Sequence, residues 1–176
     1  TGKKEIVSSH KERVLVNHNK LLNMYDGAIG VKTGFTKKSG RSLVGAAEKD
    51  GITLISVTIN APDDWNDHKA LFDYGYSLLE NRVVLEPYEC AFRLPVLSSE
   101  CEYITVKNEG RLSLVLSKND NSIEKKIFLP QYAVAPVKKG DVLGYVAFYK
   151  NGVELSRESL IACEDAEAVK PKFPFI

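Results

Sequence analysis

Long apolar runs are missing from this sequence: no stretch of about 18 apolar residues occurs in it, so no segment has the length of a transmembrane helix. A dominant charge is missing too, with 24 Lys and Arg against 23 Asp and Glu and a formal charge of +1. That balance argues against nucleic acid as a partner, because such domains usually carry a clustered basic surface. The three cysteines, Cys90, Cys101 and Cys163, show no C-x-x-C spacing, and with only His10, His18 and His68 as histidines no ordinary zinc constellation assembles. No metal or other cofactor is therefore expected. The odd cysteine count argues against a complete disulfide framework and leaves open a Cys90–Cys101 bridge or three thiols. The start, Thr1-Gly2-Lys3-Lys4, lacks both a methionine and the apolar core of a signal peptide, and it reads as a fragment or a processed chain.

What is present is globular. At 44% hydrophobic and 27% charged residues, disordered and collagenous chains are excluded. The first part reads as β-rich runs broken by turns: Ala28 to Phe35, Arg41 to Ala47 and Ile52 to Ile59, with Asp50-Gly51 as a hairpin signal between the last two. Pro62-Asp63-Asp64 starts a helix of roughly four turns, with Trp65, Leu71, Phe72, Gly75, Leu78 and Leu79 expected on its buried face. Asp63, Asp64 and Asp67 fit the positive end of that helix better than a metal. Beyond Asn81, short β segments alternate with Pro, Gly and Asn turns: Val83 to Leu85, Glu102 to Lys107, Leu112 to Ser117, Ile123 to Leu129, Val142 to Lys150 and Val153 to Ala162. This spacing predicts a small sandwich or barrel. The reading is α+β, with residues 1–82 as antiparallel strands plus a helix and residues 83–176 as a small all-β sandwich domain. The tail from Lys170 to Ile176 holds two prolines and cannot continue a helix.

The run that carries chemistry is Lys32-Thr33-Gly34, inside the first of these strands. Alternation along a strand sends Lys32 and Gly34 to one face and Thr33 to the other, while the glycine admits a close backbone. Lysine offers a charge for a carboxylate and for proton traffic, threonine offers a hydroxyl, and a free strand edge offers N–H and C=O groups to an extended peptide. A bare K-T-G is a weak signal, and a basic entrance to a turn is its bland alternative.

The surroundings extend it. The run Asp26 to Thr36, the preceding Asn17-His18-Asn19-Lys20-Leu21-Leu22 and the following Gly40 to Ala47 together resemble the D-alanyl-D-alanine carboxypeptidases, the low-molecular-mass penicillin-binding proteins. Trp65-Asn66-Asp67-His68 is similar to the sporulation-type members, and Ala135 to Gly144 with Asn151-Gly152-Val153 resembles the family's β-rich C-terminal domain. The resemblance runs from about residue 5 to about residue 163. It implies that residues 1–82 are the C-terminal part of a β-lactamase/transpeptidase-like peptidase domain. It further implies a serine peptidase that trims the terminal D-alanine of peptidoglycan stem peptides through an acyl-enzyme and is acylated by β-lactams. On that pattern Lys32 supports the electrostatics of catalysis and Thr33 binds the terminal carboxylate. Gly34 allows close approach, the Phe35 N–H supplies an oxyanion donor and Thr36 lines the cleft. His18 stands where some members carry arginine near the substrate carboxylate, which departs from the pattern and leaves a surface loop histidine as the alternative. The implied location is extracytoplasmic, in a bacterial cell envelope, and many members end in an amphipathic membrane anchor.

The family nucleophile belongs to an S-x-x-K well upstream of K-T-G. Here Ser8-Ser9-His10-Lys11 and Ser122-Ile123-Glu124-Lys125 match by accident, and neither opens an apolar helix. The chain is therefore expected to lack its nucleophile, to be inactive alone, and to need the N-terminal part of the same protein as a partner. Two alternatives stand beside this: a non-enzymatic β-sandwich module for envelope or protein contacts, and a swinging-arm carrier domain with Lys125-Lys126 as the modified site.

Overall fold

The computed structural model describes residues 4–8, 11–15 and 17–169. The proline-containing tail and two residues of the first S-x-x-K match, Ser9 and His10, lie outside the described residues. The chain divides into two compact units, Thr1–Asn81 with Val115–Lys118, and Arg82–Leu114 with Asn119–Ile176.

In the first unit, β1 (Lys4–Ser8) and β2 (Lys11–Leu15) pair antiparallel, and α1 (Leu21–Met24) leads into β3 (Ala28–Thr36), β4 (Gly40–Lys49) and β5 (Ile52–Ile59). These last three form an antiparallel sheet in the order β3-β4-β5. The β4–β5 connection has Asp50 at φ 52° and Gly51 at φ 73°, both left-handed, which is the two-residue turn that suits the twist of a hairpin. Helix α2 (Asp64–Leu78) packs on the sheet and buries Asp64, His68 and Phe72, a stripe at i, i+4 and i+8. This corrects the expected face: Leu71 and Leu78 are exposed, whereas two polar residues lie inside. Phe72 joins Leu21 and Ala47 in a small core, and its burial is worth roughly 1.5–3 kcal/mol.

The second unit is all β. Strands β7 (Ala91–Leu97), β8 (Tyr103–Lys107), β10 (Ile123–Phe128), β11 (Ala133–Val134), β12 (Val142–Lys150) and β13 (Val153–Ala162) form one sheet in the order β10-β12-β13-β8-β7-β11. Strands β6 (Leu79–Leu85) and β9 (Leu112–Ser117), of which residues 79–81 and 115–117 belong to the first unit, form a separate two-stranded sheet. Strand β7 is additional to the expected elements, and it contains Pro95, which has no N–H to give to a ladder. It is tolerated here because β11 pairs only with Val96 and Leu97, so no ladder bond is required of Pro95 on that side. The core is built from Leu94, Ile104, Val106, Val146 and Leu160, among others. Buried Asn108 ties three backbone groups to it: Oδ1 accepts from the Cys90 N–H at 2.8 Å, and Nδ2 donates to the carbonyls of Glu86 at 2.8 Å and Gly110 at 3.0 Å. Cys90, Cys101 and Cys163 are free thiols, Cys90 buried and the others half-buried, so the Cys90–Cys101 bridge does not form.

Candidate functional site

β3 is an outer strand of its sheet, so the groups on one of its edges are not used by β4. Its register with β4 and β5 sorts the K-T-G run between two faces. Lys32 lies opposite Val44, which lies opposite Val57, whereas Thr33 lies opposite Leu43, which lies opposite Thr58. The Thr33 face is the one that α2 covers, since buried Leu43 and His68 belong to it. The Lys32 face is open: Ile55, Val57 and Ile59 are exposed there. Lys32 borders a shallow apolar hollow of about 340 Å³ with Val44, Val57 and Ile59, and its Nζ donates to the Thr33 carbonyl at 2.5 Å.

Beyond the N-terminal end of α2 the covered face gives way to a groove of about 290 Å³. Its floor and one wall come from Thr33, Gly34 and Phe35, the last 70% exposed. His18 and Lys20 border it from the loop before α1, a loop shaped by local hydrogen bonds. Asn17 Oδ1 accepts from the Asn19 N–H at 2.9 Å, and Asn19 Oδ1 accepts from the Leu21 N–H at 3.1 Å. Such side-chain-to-backbone bonds favour turns over regular structure.

Arg41, Asp64 and Trp65 complete the lining. Asp64 is the first residue of α2, where the helix dipole favours a carboxylate, and its side chain is only 4% exposed. Both Nε (3.2 Å) and Nη2 (2.6 Å) of Arg41 donate to Asp64 Oδ1, and the guanidinium carbon lies 5.3 Å from the Trp65 ring centroid. Asp63, by contrast, makes no side-chain cap and instead accepts from Asn66 Nδ2 at 2.9 and 3.1 Å.

One turn along α2, His68 is fully buried against the sheet. Its Nδ1 lies 2.6 Å from Ser56 Oγ and its Nε2 lies 3.0 Å from Thr58 Oγ1. A neutral ring has one donor and one acceptor nitrogen, so one hydroxyl accepts from it and the other donates. Burial disfavours the charged ring and pushes its pKa down.

The groove thus gathers four of the residues singled out in the sequence: His18, Thr33, Gly34 and Phe35. Lys32 lines the open face instead. Thr36 stands outside both, at the end of β3, where its Oγ1 accepts from the Ser39 N–H at 3.0 Å and also bonds the Ser39 hydroxyl. Arg41, Asp64, Trp65 and Lys20 were missed. Arg41 was legible in principle, as the second residue of a strand whose hairpin register brings it opposite Phe35.

In the first S-x-x-K run Ser8 and Lys11 are cross-strand partners in the β1–β2 hairpin. In the second S-x-x-K run Ile123, Glu124 and Lys125 lie on β10, and Ser122 precedes it. Ser122 Oγ donates to Asp120 Oδ1 at 2.6 Å, while Lys125 Nζ is held 2.7 Å from Glu89 Oε1. Lys125 and Lys126 lie within β10 and not at a hairpin tip, which removes the carrier-domain alternative.

This arrangement can be set beside known proteins. Residues 1–63 match the family described as D-alanyl-D-alanine carboxypeptidase, and residues 93–168 match the penicillin-binding protein 5 C-terminal domain. The chain belongs to the D-alanyl-D-alanine carboxypeptidase family. It is 27% identical over 163 residues to the D-alanyl-D-alanine carboxypeptidase DacF of Bacillus subtilis, covering 90% of this chain and 42% of the relative. Against the carboxypeptidase DacB2 of Mycobacterium tuberculosis it is 36% identical over 77 residues, 40% of this chain and 26% of the relative. The fold is similar to that of a peptidoglycan synthesis regulatory factor (PBP3) from Streptococcus pneumoniae, with a TM-score of 0.63 at 21% identity over 88% of this chain and 48% of the other. The chain therefore spans less than half the length of each of these three proteins. Among the described residues no helix is long and apolar enough to cross a membrane.

Proposed function

We propose that this chain supplies the K-T-G wall and the β-rich domain of a serine-type D-Ala-D-Ala carboxypeptidase. Residues 1–82 would be the peptidase-domain part and residues 83–176 the β domain. The reaction is removal of the terminal D-alanine from peptidoglycan stem peptides in a bacterial cell envelope, with β-lactams acylating the same nucleophile. The observation that carries the reading is the division of the K-T-G run between two faces of one strand edge. Thr33 lines a groove of about 290 Å³, and Lys32 stands on an open face rich in exposed apolar side chains. A protein layer packed on that face would bring a serine and its base next to Lys32. In this proposal the nucleophile comes from residues outside this chain, since Ser122 and Lys125 are engaged elsewhere. Thr33 then receives the substrate carboxylate, Gly34 lets the peptide backbone lie against the strand, and the Phe35 N–H points at the developing oxyanion.

Two measurements test it. Titration of the isotope-labelled chain with diacetyl-Lys-D-Ala-D-Ala is expected to move the amide signals of Thr33 to Phe35, and the L-Ala-L-Ala isomer is expected to leave them in place. Intact-mass spectrometry after incubation with benzylpenicillin is expected to return the unmodified mass. A stoichiometric adduct would place the nucleophile inside the chain and overturn that part of the proposal.

A further inference from the structure

We propose that Arg41 is the anchor for the ligand's terminal carboxylate in this groove, held in a binding-ready pose by Asp64 and Trp65. This rests on the reading of the groove as a peptide-terminus site and adds a specificity residue to it.

The argument begins with register. Arg41 pairs with Phe35, and Leu43 pairs with Thr33, so Arg41 lies on the Thr33 face as its diagonal neighbour. Diagonal neighbours on one face are separated by about 7–8 Å at the backbone, within reach of a long side chain. A carboxylate accepting from the Thr33 hydroxyl therefore falls within range of the guanidinium head. The second step is preorganisation. Nε and Nη2 are committed to a single carboxylate oxygen of a nearly buried aspartate, and the guanidinium carbon lies over the Trp65 ring. Among the described residues, Nη1 has no hydrogen-bond partner, and the side chain is 41% exposed at the groove. A guanidinium fixed along one edge and open along another loses little freedom on binding a carboxylate. The third step is charge. The formal charges lining the groove are Lys20 and Arg41 against Asp64 alone, leaving an excess of one positive charge for a single anion. Lys20 is an exposed ammonium on a loop, whereas Arg41 is held on two sides.

The test compares a peptide acid with its amide on the whole chain. Diacetyl-Lys-D-Ala-D-Ala and its C-terminal amide are titrated while the arginine Nε–H signals are followed by NMR. The Arg41 signal is expected to shift with the acid and to stay in place with the amide, and the acid is expected to bind at least tenfold more tightly. R41A is expected to remove that acid-to-amide ratio, and R41K to restore only part of it. D64N, which keeps the arginine but frees its head, is expected to give an intermediate ratio. If R41A keeps the full ratio while T33V abolishes it, the anchor is not Arg41 although the groove reading stands. If neither ligand shifts any groove signal in the native chain, the groove reading fails and this inference falls with it. Should R41A fail to fold, the shift of the Arg41 signal in the native chain decides the matter alone.

Discussion

The imidazole of His68 occupies the space that a side chain at Gly45 would need: a Cβ built on Gly45 would lie 2.5 Å from His68 Nδ1 and 2.9 Å from Leu21 Cδ2. Central strand β4 thus carries a glycine because a buried polar ring from α2 rests directly on its backbone. Neither group can move easily, since the ring is bonded to Ser56 and Thr58 and Leu21 is fully buried.

Gly45→Ala is therefore expected to destabilise the first unit by about 1–3 kcal/mol, the usual cost of overpacking. The chain has a single tryptophan, Trp65, in that unit, so its fluorescence during urea unfolding isolates the effect. An unchanged midpoint would mean that the helix shifts at no cost.

His68 also predicts a pH dependence. Its folded pKa lies below the ordinary 6.5 because burial penalises the charged ring, so below 6.5 the unfolded chain binds a proton that the folded chain refuses. Stability of the first unit is expected to be level well above pH 6.5 and to fall as the pH drops through the window between the unfolded and folded values. Urea midpoints from Trp65 fluorescence in the native chain and in His68→Gln check this. The variant is expected to lose that slope, whatever its absolute stability.

In the second unit, Asn108→Ala would leave the Cys90 N–H and the carbonyls of Glu86 and Gly110 without their partner. Buried groups stripped of hydrogen bonds cost about 1–3 kcal/mol each when water does not replace the partner, so a loss of roughly 2–4 kcal/mol is expected. Amide hydrogen exchange of β8 and β13 reads it. Protection equal to that of the native chain would count against the role assigned to Asn108.

Gly144 sits where β12 passes β10, and a Cβ there would lie 2.3 Å from the Phe128 carbonyl oxygen and 2.9 Å from Leu129 Cδ1. The obstructing atom is backbone, so relief requires the end of β10 to separate. Gly144→Val is expected to cost about 1–3 kcal/mol and to expose the amides of Ile127 and Phe128 to exchange. Unaltered exchange at those two amides would refute the contact.

Much of this architecture was legible because it rests on local rules. The turns at Asp50-Gly51 and Asn151-Gly152 need left-handed residues and have them, at φ 52° and 73° and at φ 50° and 78°. Strand alternation alone placed Lys32 and Thr33 on opposite faces, as the register bears out. The buried face of α2 was misread because periodicity was sought among apolar residues, while the buried stripe contains Asp64 and His68. A polar residue counts as core only when its partners are known, and Arg41, Ser56 and Thr58 come from strands 10 to 23 residues away. Strand β7 was not read from the sequence, and it holds Pro95, whose cost depends on which neighbour reaches it.

The residues by themselves determined the types of β3, β4, β5 and α2, the K-T-G strand and the family, because each follows from short-range pattern and from side-chain chemistry in order along the chain. Tertiary structure decided what those elements enclose. Whether Arg41 neutralises Asp64, whether His68 is a surface group or a core one, and which predicted residues share a groove all depend on strand register and on the seat of α2. Those are set by packing between distant segments, which no local window contains.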